Sequence, residues 1–342
     1  MKKILCIFFV AFSFLYGFES YNYVDKHYKI TQEGELSIKF TQKINPFFIK
    51  HKLHYFSSFD GVKIAYKVFQ HPNAKATLVI SSGRTEGMVK YQEFIYDLYQ
   101  NGYSVYILDH RGQGYSQRLL EDTQIGYVKD FLDYVKDLRF FVKKIVKKDK
   151  KMILIGHSMG GAIASLYVET YKKDFDALVL SSPMHQPEII KPSWSQAMCK
   201  LIEKRKNNLE RYIIGEESYD KEDKNFDENL LTHSKIRFEL MNKVYENDPN
   251  TKLGGPSVAW VVQACKGSHL SVMLASEVTI PTLLLQAEDD KIVNLEPQQE
   301  FCQKASRCDL YLFHGAYHEL FIEQDHIRNK VLTAILTFIA KI

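Results

Sequence analysis

The chain has 342 residues, 45% of them hydrophobic, enough apolar material for a sizeable core and too much for intrinsic disorder. Its 45 basic residues nearly balance 41 acidic ones, and a formal net charge of +4 gives no field for gripping nucleic acid. Five cysteines without a C-x-x-C pair exclude a disulfide scaffold and offer neither a zinc site nor a redox dithiol.

Met1-Lys2-Lys3 leads into an apolar run from Ile4 to Phe18, with the small residue Gly17 near its end. Two lysines ahead of a short apolar stretch read as a signal peptide or N-terminal membrane anchor. Its 15 residues fall short of the roughly 17–25 that a spanning helix needs. Residues 19–50 carry no assignable pattern. In an oxidising compartment Cys199, Cys265, Cys302 and Cys308 can pair in three ways, and Cys302 with Cys308 would close a small loop. Free buried thiols are the equal alternative.

From His54 onward strands and helices alternate. His54–Phe56 and Val62–Tyr66 read as an antiparallel pair turning through Asp60-Gly61. Ala76–Ile80, Val105–Leu108, Met152–Ile155 and Ala177–Leu180 are continuous apolar runs, the mark of strands covered on both faces. Thr282–Leu285 and Leu310–Phe313 supply two more. Helices are expected over Tyr91–Gln100, Val128–Val146, Ala162–Tyr171 and His326–Ala340. This order means a mostly parallel sheet with helices on both faces. The core is expected in two parts, residues 51–183 and 280–342. Between them, residues 184–279 lack a clear buried strand and read as an inserted helical cap, placed where ligands lie on an open α/β sheet.

The strand Met152–Ile155 runs straight into Gly156-His157-Ser158-Met159-Gly160-Gly161 and then a helix. This is G-x-S-x-G in the strand–turn–helix context that lifts a serine clear of a sheet. A hydroxyl is a poor nucleophile unless a base takes its proton. An acid and a histidine must follow in that order. After the strand Thr282–Leu285 comes Glu288-Asp289-Asp290, of which Asp290 is the expected acid and Asp289 the runner-up. After Leu310–Phe313 comes His314-Gly315-Ala316-Tyr317-His318-Glu319, and His318, in the loop, is the expected base. His314 reads as structural, His326 as exposed and His157 as a packing residue. Ser82-Gly83-Arg84-Thr85 follows the first buried parallel strand, so the amides of Arg84 and Met159 are the expected oxyanion donors. Trp194, Met198, Phe238, Met241 and Trp260 are candidates for an acyl tunnel or for the cap's own core. The Arg84 side chain is a candidate for a lipid phosphate.

Gly156–Gly160, Asp109-His110-Arg111-Gly112-Gln113-Gly114-Tyr115-Ser116 and Gly315–Glu319 together resemble the α/β-hydrolase superfamily, monoacylglycerol-lipase-like branch. Gly83-Arg84, Val89-Lys90-Tyr91, Leu231–Ser234, Gly254-Gly255-Pro256 and Gln286-Ala287-Glu288 are similar to bacterial lysophospholipases of the L2 type. The likeness spans about residues 50–342. Where most monoacylglycerol lipases open the oxyanion loop with His-Gly, this chain has Ser82-Gly83. The resemblance implies Ser158 as nucleophile, Asp290 as acid, His318 as base, and hydrolysis of the acyl ester of a lysophospholipid at a membrane surface, without metal or cofactor. The N-terminal run, which is not expected of that group, implies an exported protein, periplasmic or inner-membrane-associated, in a bacterial envelope. The alternatives are a monoacylglycerol lipase or general carboxylesterase, a lipid acyltransferase, and a non-catalytic hydrolase-fold binding module.

Overall fold

A computed structural model describes residues 28–188, 197, 199–201, 204, 209–219 and 225–342. The expected signal segment 1–18, and Trp194 and Met198, lie outside the described residues.

One eight-stranded sheet organises the chain, in the order β1-β2-β4-β3-β5-β6-β7-β8. The strands are β1 (His54–Ser57), β2 (Lys63–Phe69), β3 (Thr77–Ser81), β4 (Ser104–Leu108), β5 (Met152–His157), β6 (Ala177–Ser181), β7 (Thr282–Ala287) and β8 (Cys308–Phe313). Only β2 runs against its neighbours, and β3 through β8 are parallel. This is the α/β-hydrolase sheet. Every residue of β3, β4, β5, β6 and β7 is buried. Successive side chains alternate between two cores. Leu78, Ile80, Ile153 and Ile155 point into one, against α3 (Gln92–Gln100) and α9 (Asp325–Lys341). Val79, Met152 and Leu154 point into the other, against α4 (Leu132–Lys144) and α5 (Met159–Thr170).

Residues expected to be unassigned or differently bounded are now placed. The N-terminal segment forms α1 (Glu33–Lys39), a π-helical turn (Phe40–Ile44) and α2 (Asn45–Lys50). The helix expected over Val128–Val146 starts only at Leu132, where the Asp130 carboxylate accepts from the Leu132 amide at 2.9 Å. Val128 and Phe131 are buried from the loop before it, so their helical spacing reports core contact and not helix. Within the region expected as cap lie α6 (Lys235–Asn247) and α7 (Val258–Met273). α7 packs on α5, and its Trp260, Val261 and Ala264 join the core cluster, so this helix belongs to the layer and not to a lid above it. The remaining described helix, α8 (Leu295–Lys304), links β7 to β8.

The four cysteines of the described residues form two disulfides. Cys199–Cys265 ties the stretch after β6 to α7, and Cys302–Cys308 closes the loop from α8 to β8. α6 is fixed differently. The guanidinium of Arg237 is fully enclosed and donates to Glu93 on α3, to Asp325 on α9, and to the carbonyls of Thr31 and Glu323. Arg328 sits beside it, bonded to Asp97, Thr31 and Phe321.

Candidate active site

The carboxyl ends of β3, β5, β7 and β8 converge on one cavity. Ser158 stands between β5 and α5 with φ 50° and ψ −121°, in the left-handed half of backbone space that costs a non-glycine residue roughly 1–3 kcal/mol. The turn is enforced from several sides. The Ser158 amide donates to Ser181 O at 3.1 Å, and its carbonyl accepts from Met184 at 2.8 Å and Gly161 at 2.9 Å. A Cβ on Gly156 would fall 2.6 Å from Gly160 O, and one on Gly160 would fall 2.1 Å from Ser81 O. The glycines of G-x-S-x-G are therefore required by backbone contact across the elbow. The Met159 amide heads α5, at the positive end of the helix dipole.

His318 and Ser158 both line a cavity of about 270 Å³, with Arg84, Glu86, Phe238, Met241 and Tyr245 among its walls. The Nδ1 of His318 lies 2.7 Å from Asp290 Oδ2. Asp290 is itself aimed by the amides of Ile292 and Val293, which donate to its other oxygen at 2.8 and 3.1 Å. A carboxylate accepts, so Nδ1 carries the proton and Nε2 is left as the basic nitrogen. Asp289 contributes only its amide to the loop, donating to Ala316 O at 3.0 Å. His314 is not the structural residue expected from its place at a strand end. It is exposed and paired with Glu288 at 2.9 Å, because the chain has already turned outward there. His326 is exposed at the head of α9.

Arg84 lines the cavity, and its side chain turns toward the cap. Nη1 donates to Gly254 O at 3.1 Å, and the guanidinium lies 5.3 Å from the Trp260 ring centroid. Trp260 itself is buried behind Arg84, its indole N–H donating to the Tyr134 hydroxyl at 3.2 Å. Phe238 and Met241, by contrast, sit on the cavity wall.

Two features escaped sequence reasoning. The first is the work of the segment Asp109–Ser116. Gln113 donates from Nε2 to Gly83 O at 2.7 Å and Glu86 O at 2.8 Å, pinning both ends of the loop that carries Arg84. Gly114, with φ 54°, lets the chain pass against the buried Asp109 carboxylate, where a Cβ would sit 2.2 Å away. Replacing Gln113 by Ala is expected to lower kcat for an ester substrate between about tenfold and hundredfold, a fraction of what outright loss of an oxyanion donor costs. Steady-state kinetics with an intact melting transition is the check; an unchanged kcat would remove this role for the pin.

The second is a set of buried charges under the His318 ring. Lys90 pairs with both Glu86 and Glu319, and His157 Nε2 lies 3.1 Å from Glu319 and 3.6 Å from Glu86. His157 was expected to be a packing residue; the structure makes it part of an ion-pair network, because two carboxylates from separate loops meet its ring. Burial by itself raises the Glu319 carboxyl, but Lys90 and His157 outweigh it and hold the group well below its ordinary range. The ligand atoms of His157, His318 and Glu319 lie within 4.8 Å of one another, but Lys90 and Asp290 already occupy two of these groups, so the set is ionic and not a metal cradle.

The sequence pattern of the family Serine aminopeptidase, S33 matches residues 72–325. Over 293 residues the chain is 34% identical to Lysophospholipase L2 of Escherichia coli (strain K12), covering 83% of this chain and 86% of that one. Over 270 residues it is 26% identical to Monoglyceride lipase of Rattus norvegicus, covering 78% and 82%. A solved structure of a soluble variant of monoglyceride lipase from Saccharomyces cerevisiae superposes with a TM-score of 0.67 at 21% identity, covering 85% of this chain and 96% of that one.

Proposed function

The chain belongs to the serine aminopeptidase S33 family of α/β-hydrolases and is a lipid-directed carboxylic ester hydrolase of its monoglyceride-lipase-like branch; from that premise we propose that it is a lysophospholipase using Ser158, His318 and Asp290. The likeness to Lysophospholipase L2, which runs through core and cap alike, carries the choice of substrate. The meeting of Ser158 and His318 on one cavity supports the choice of residues.

Nε2 of His318 takes the proton of the Ser158 hydroxyl as its oxygen attacks the acyl carbonyl. The developing oxyanion is held by the amides of Arg84 and Met159. His318 then gives the proton to the departing glycerophosphodiester alcohol. Water enters, loses a proton to His318 and releases the fatty acid. Asp290 keeps Nδ1 protonated throughout and stabilises the imidazolium that forms twice per cycle. Phe238 and Met241 offer apolar surface to the acyl chain, and Arg84 offers charge to the phosphate. In this reading Trp260 acts on substrate only through the face of Arg84 that it covers.

On this reading the enzyme meets its lipid substrate at a membrane surface, outside the cytoplasm. Two disulfides among the described residues support an oxidising compartment.

Arg84→Ala separates headgroup from backbone roles. With lysophosphatidylethanolamine kcat/KM is expected to fall about tenfold to a hundredfold, in line with a charge-assisted hydrogen bond. With a monoacylglycerol of the same chain it is expected to stay within about threefold, since an uncharged glycerol loses no ion pair. Equal loss on both would leave Arg84 only its amide. A panel on the unmodified enzyme in which monoacylglycerol is clearly preferred would favour the neutral-lipid lipase instead.

A further inference from the structure

The residue before the candidate nucleophile and the residue after the candidate base face each other in the protein interior. His157 is 1% exposed and Glu319 is 5% exposed. Nδ1 of His157 lies 3.1 Å from the carbonyl oxygen of Ser181. Its Nε2 lies 3.1 Å from Glu319 and 3.6 Å from Glu86. Carbonyls and ionised carboxylates only accept, so neither ring nitrogen has a donor to meet. A neutral imidazole must leave one nitrogen bare, and here a bare nitrogen would press its lone pair against oxygen. Nε2 makes no well-aligned hydrogen bond, but two carboxylate oxygens lie within 3.6 Å of it, and their charge favours a proton on both nitrogens.

The charges then balance. Lys90 and His157 carry the positive charges, Glu86 and Glu319 the negative ones. Lys90 touches both carboxylates, at 2.6 Å for Glu319. Glu86 also accepts from the Gly83 amide at 2.6 Å and from the Tyr91 hydroxyl. Each member comes from a different part of the site: Glu86 and Lys90 from the oxyanion loop, His157 from the elbow, Glu319 from the loop of His318. The rings of His157 and His318 lie 4.9 Å apart. Removing one ion from such a buried set leaves an uncompensated charge, which is far more damaging than never having built the set.

We propose that Glu319 is a positioning residue for the ester-cleaving reaction: held between Lys90 and a doubly protonated His157, its carboxylate fastens the loop of His318 to the elbow and the oxyanion loop, and it does so only while the four charges balance. This rests on the reading of Ser158 and His318 as the reacting pair. The groups facing His157 are Glu86 and Lys90 from the segment after β3 and His318 and Glu319 from the loop after β8; Tyr91 bonds Glu86, and Tyr245 of α6, near the same carboxylates, is kept protonated first by burial and then by Glu86 and Glu319. Burial disfavours the His157 cation, but Glu319 and Glu86 outweigh it and lift the ring above the ordinary histidine value. A group raised on folding gives its full stabilisation below its unfolded pKa and loses it as pH climbs through the raised one. The tie is therefore lost on the alkaline side.

A charge-balance cycle tests this on the full chain with a p-nitrophenyl acyl ester, so that headgroup preference plays no part. Glu319→Gln is expected to lower kcat about 10²-fold, as a misplaced base does, with KM within about threefold. Lys90→Met is expected to lower it comparably. The double variant, which removes both members of one pair and leaves Glu86 and His157 balanced, is expected to fall no further than the worse single one, the reverse of multiplied loss. Losses that simply multiply would overturn the proposal. Independently, nitrogen-15 histidine spectra of the unmodified enzyme, with His157 assigned through its contact with Phe321, are expected to show both ring nitrogens protonated at about pH 7.5, above the ordinary histidine value. A neutral-imidazole pattern there would overturn it even if a variant failed to fold. Fluorophosphonate labelling of Ser158 reports on the reacting pair itself, so its failure points to that reading and not to this one.

Discussion

Ser158→Ala lowers turnover of a lysophospholipid by about 10⁶-fold and abolishes labelling by a fluorophosphonate, if the three residues act as a unit. The size follows from what the substitution removes. Alanine keeps the Cβ and hence the strain of φ 50°, keeps the bonds of the elbow to Ser181 and Met184, and removes only the oxygen that attacks. What survives is the catalysis that oxyanion donors and binding give to water. The melting temperature should therefore hardly move. Ser158→Gly should be equally inactive and at least as stable, because glycine adopts that backbone without the strain. Retained esterase activity in the alanine variant would end the assignment of the nucleophile.

Asp290→Asn lowers kcat by about 10⁴-fold, the loss expected when an imidazole is held in the wrong tautomer. The amides of Ile292 and Val293 both donate to Oδ1 of Asp290, which fixes the asparagine carbonyl there and turns its NH2 toward His318. A donor facing Nδ1 makes that nitrogen accept and puts the proton on Nε2, where no base is left for Ser158. Asp289→Asn is expected to stay within about twofold, since only the Asp289 amide is engaged in the loop and surface changes away from such features cost little. Kinetics on the two variants side by side settles which carboxylate acts, and a larger loss at Asp289 would reverse the assignment.

Much of this was legible in the chain. Runs such as Leu78–Ile80 and Ile153–Ile155 are apolar at every position because both faces of the central strands are covered, and their shortness and β-branched content set them apart from buried helix. G-x-S-x-G with the later acid and histidine could be placed because strand ends fix which loops share an edge. The charge network could not be placed. Glu86 and Glu319 are charged residues in loops and Lys90 sits in the short helical turn Met88–Tyr91; such residues by habit face water, and nothing in their local pattern says that segments from opposite ends of the chain enclose them together. α7 reads as part of the cap because a helix between two core strands looks alike in sequence whether it is inserted above the sheet or packed on it. Its Trp260 proved to be core for the same reason that Arg84 reaches over it. The segment Glu33–Lys50 hid behind its π turn, which shifts the helical period midway and blurs the apolar face.

The bonds of Arg237 bear on how a fatty substrate gets in. Swinging α6 away would strip a guanidinium from Glu93 and Asp325, and baring one side of a buried pair costs about 3–5 kcal/mol. At that energy the helix would part from α3 and α9 in fewer than about one molecule in a hundred at any moment. The edge carrying Phe238 and Met241 is thus a fixed doorpost, a wall whose shape the acyl tail meets and does not set.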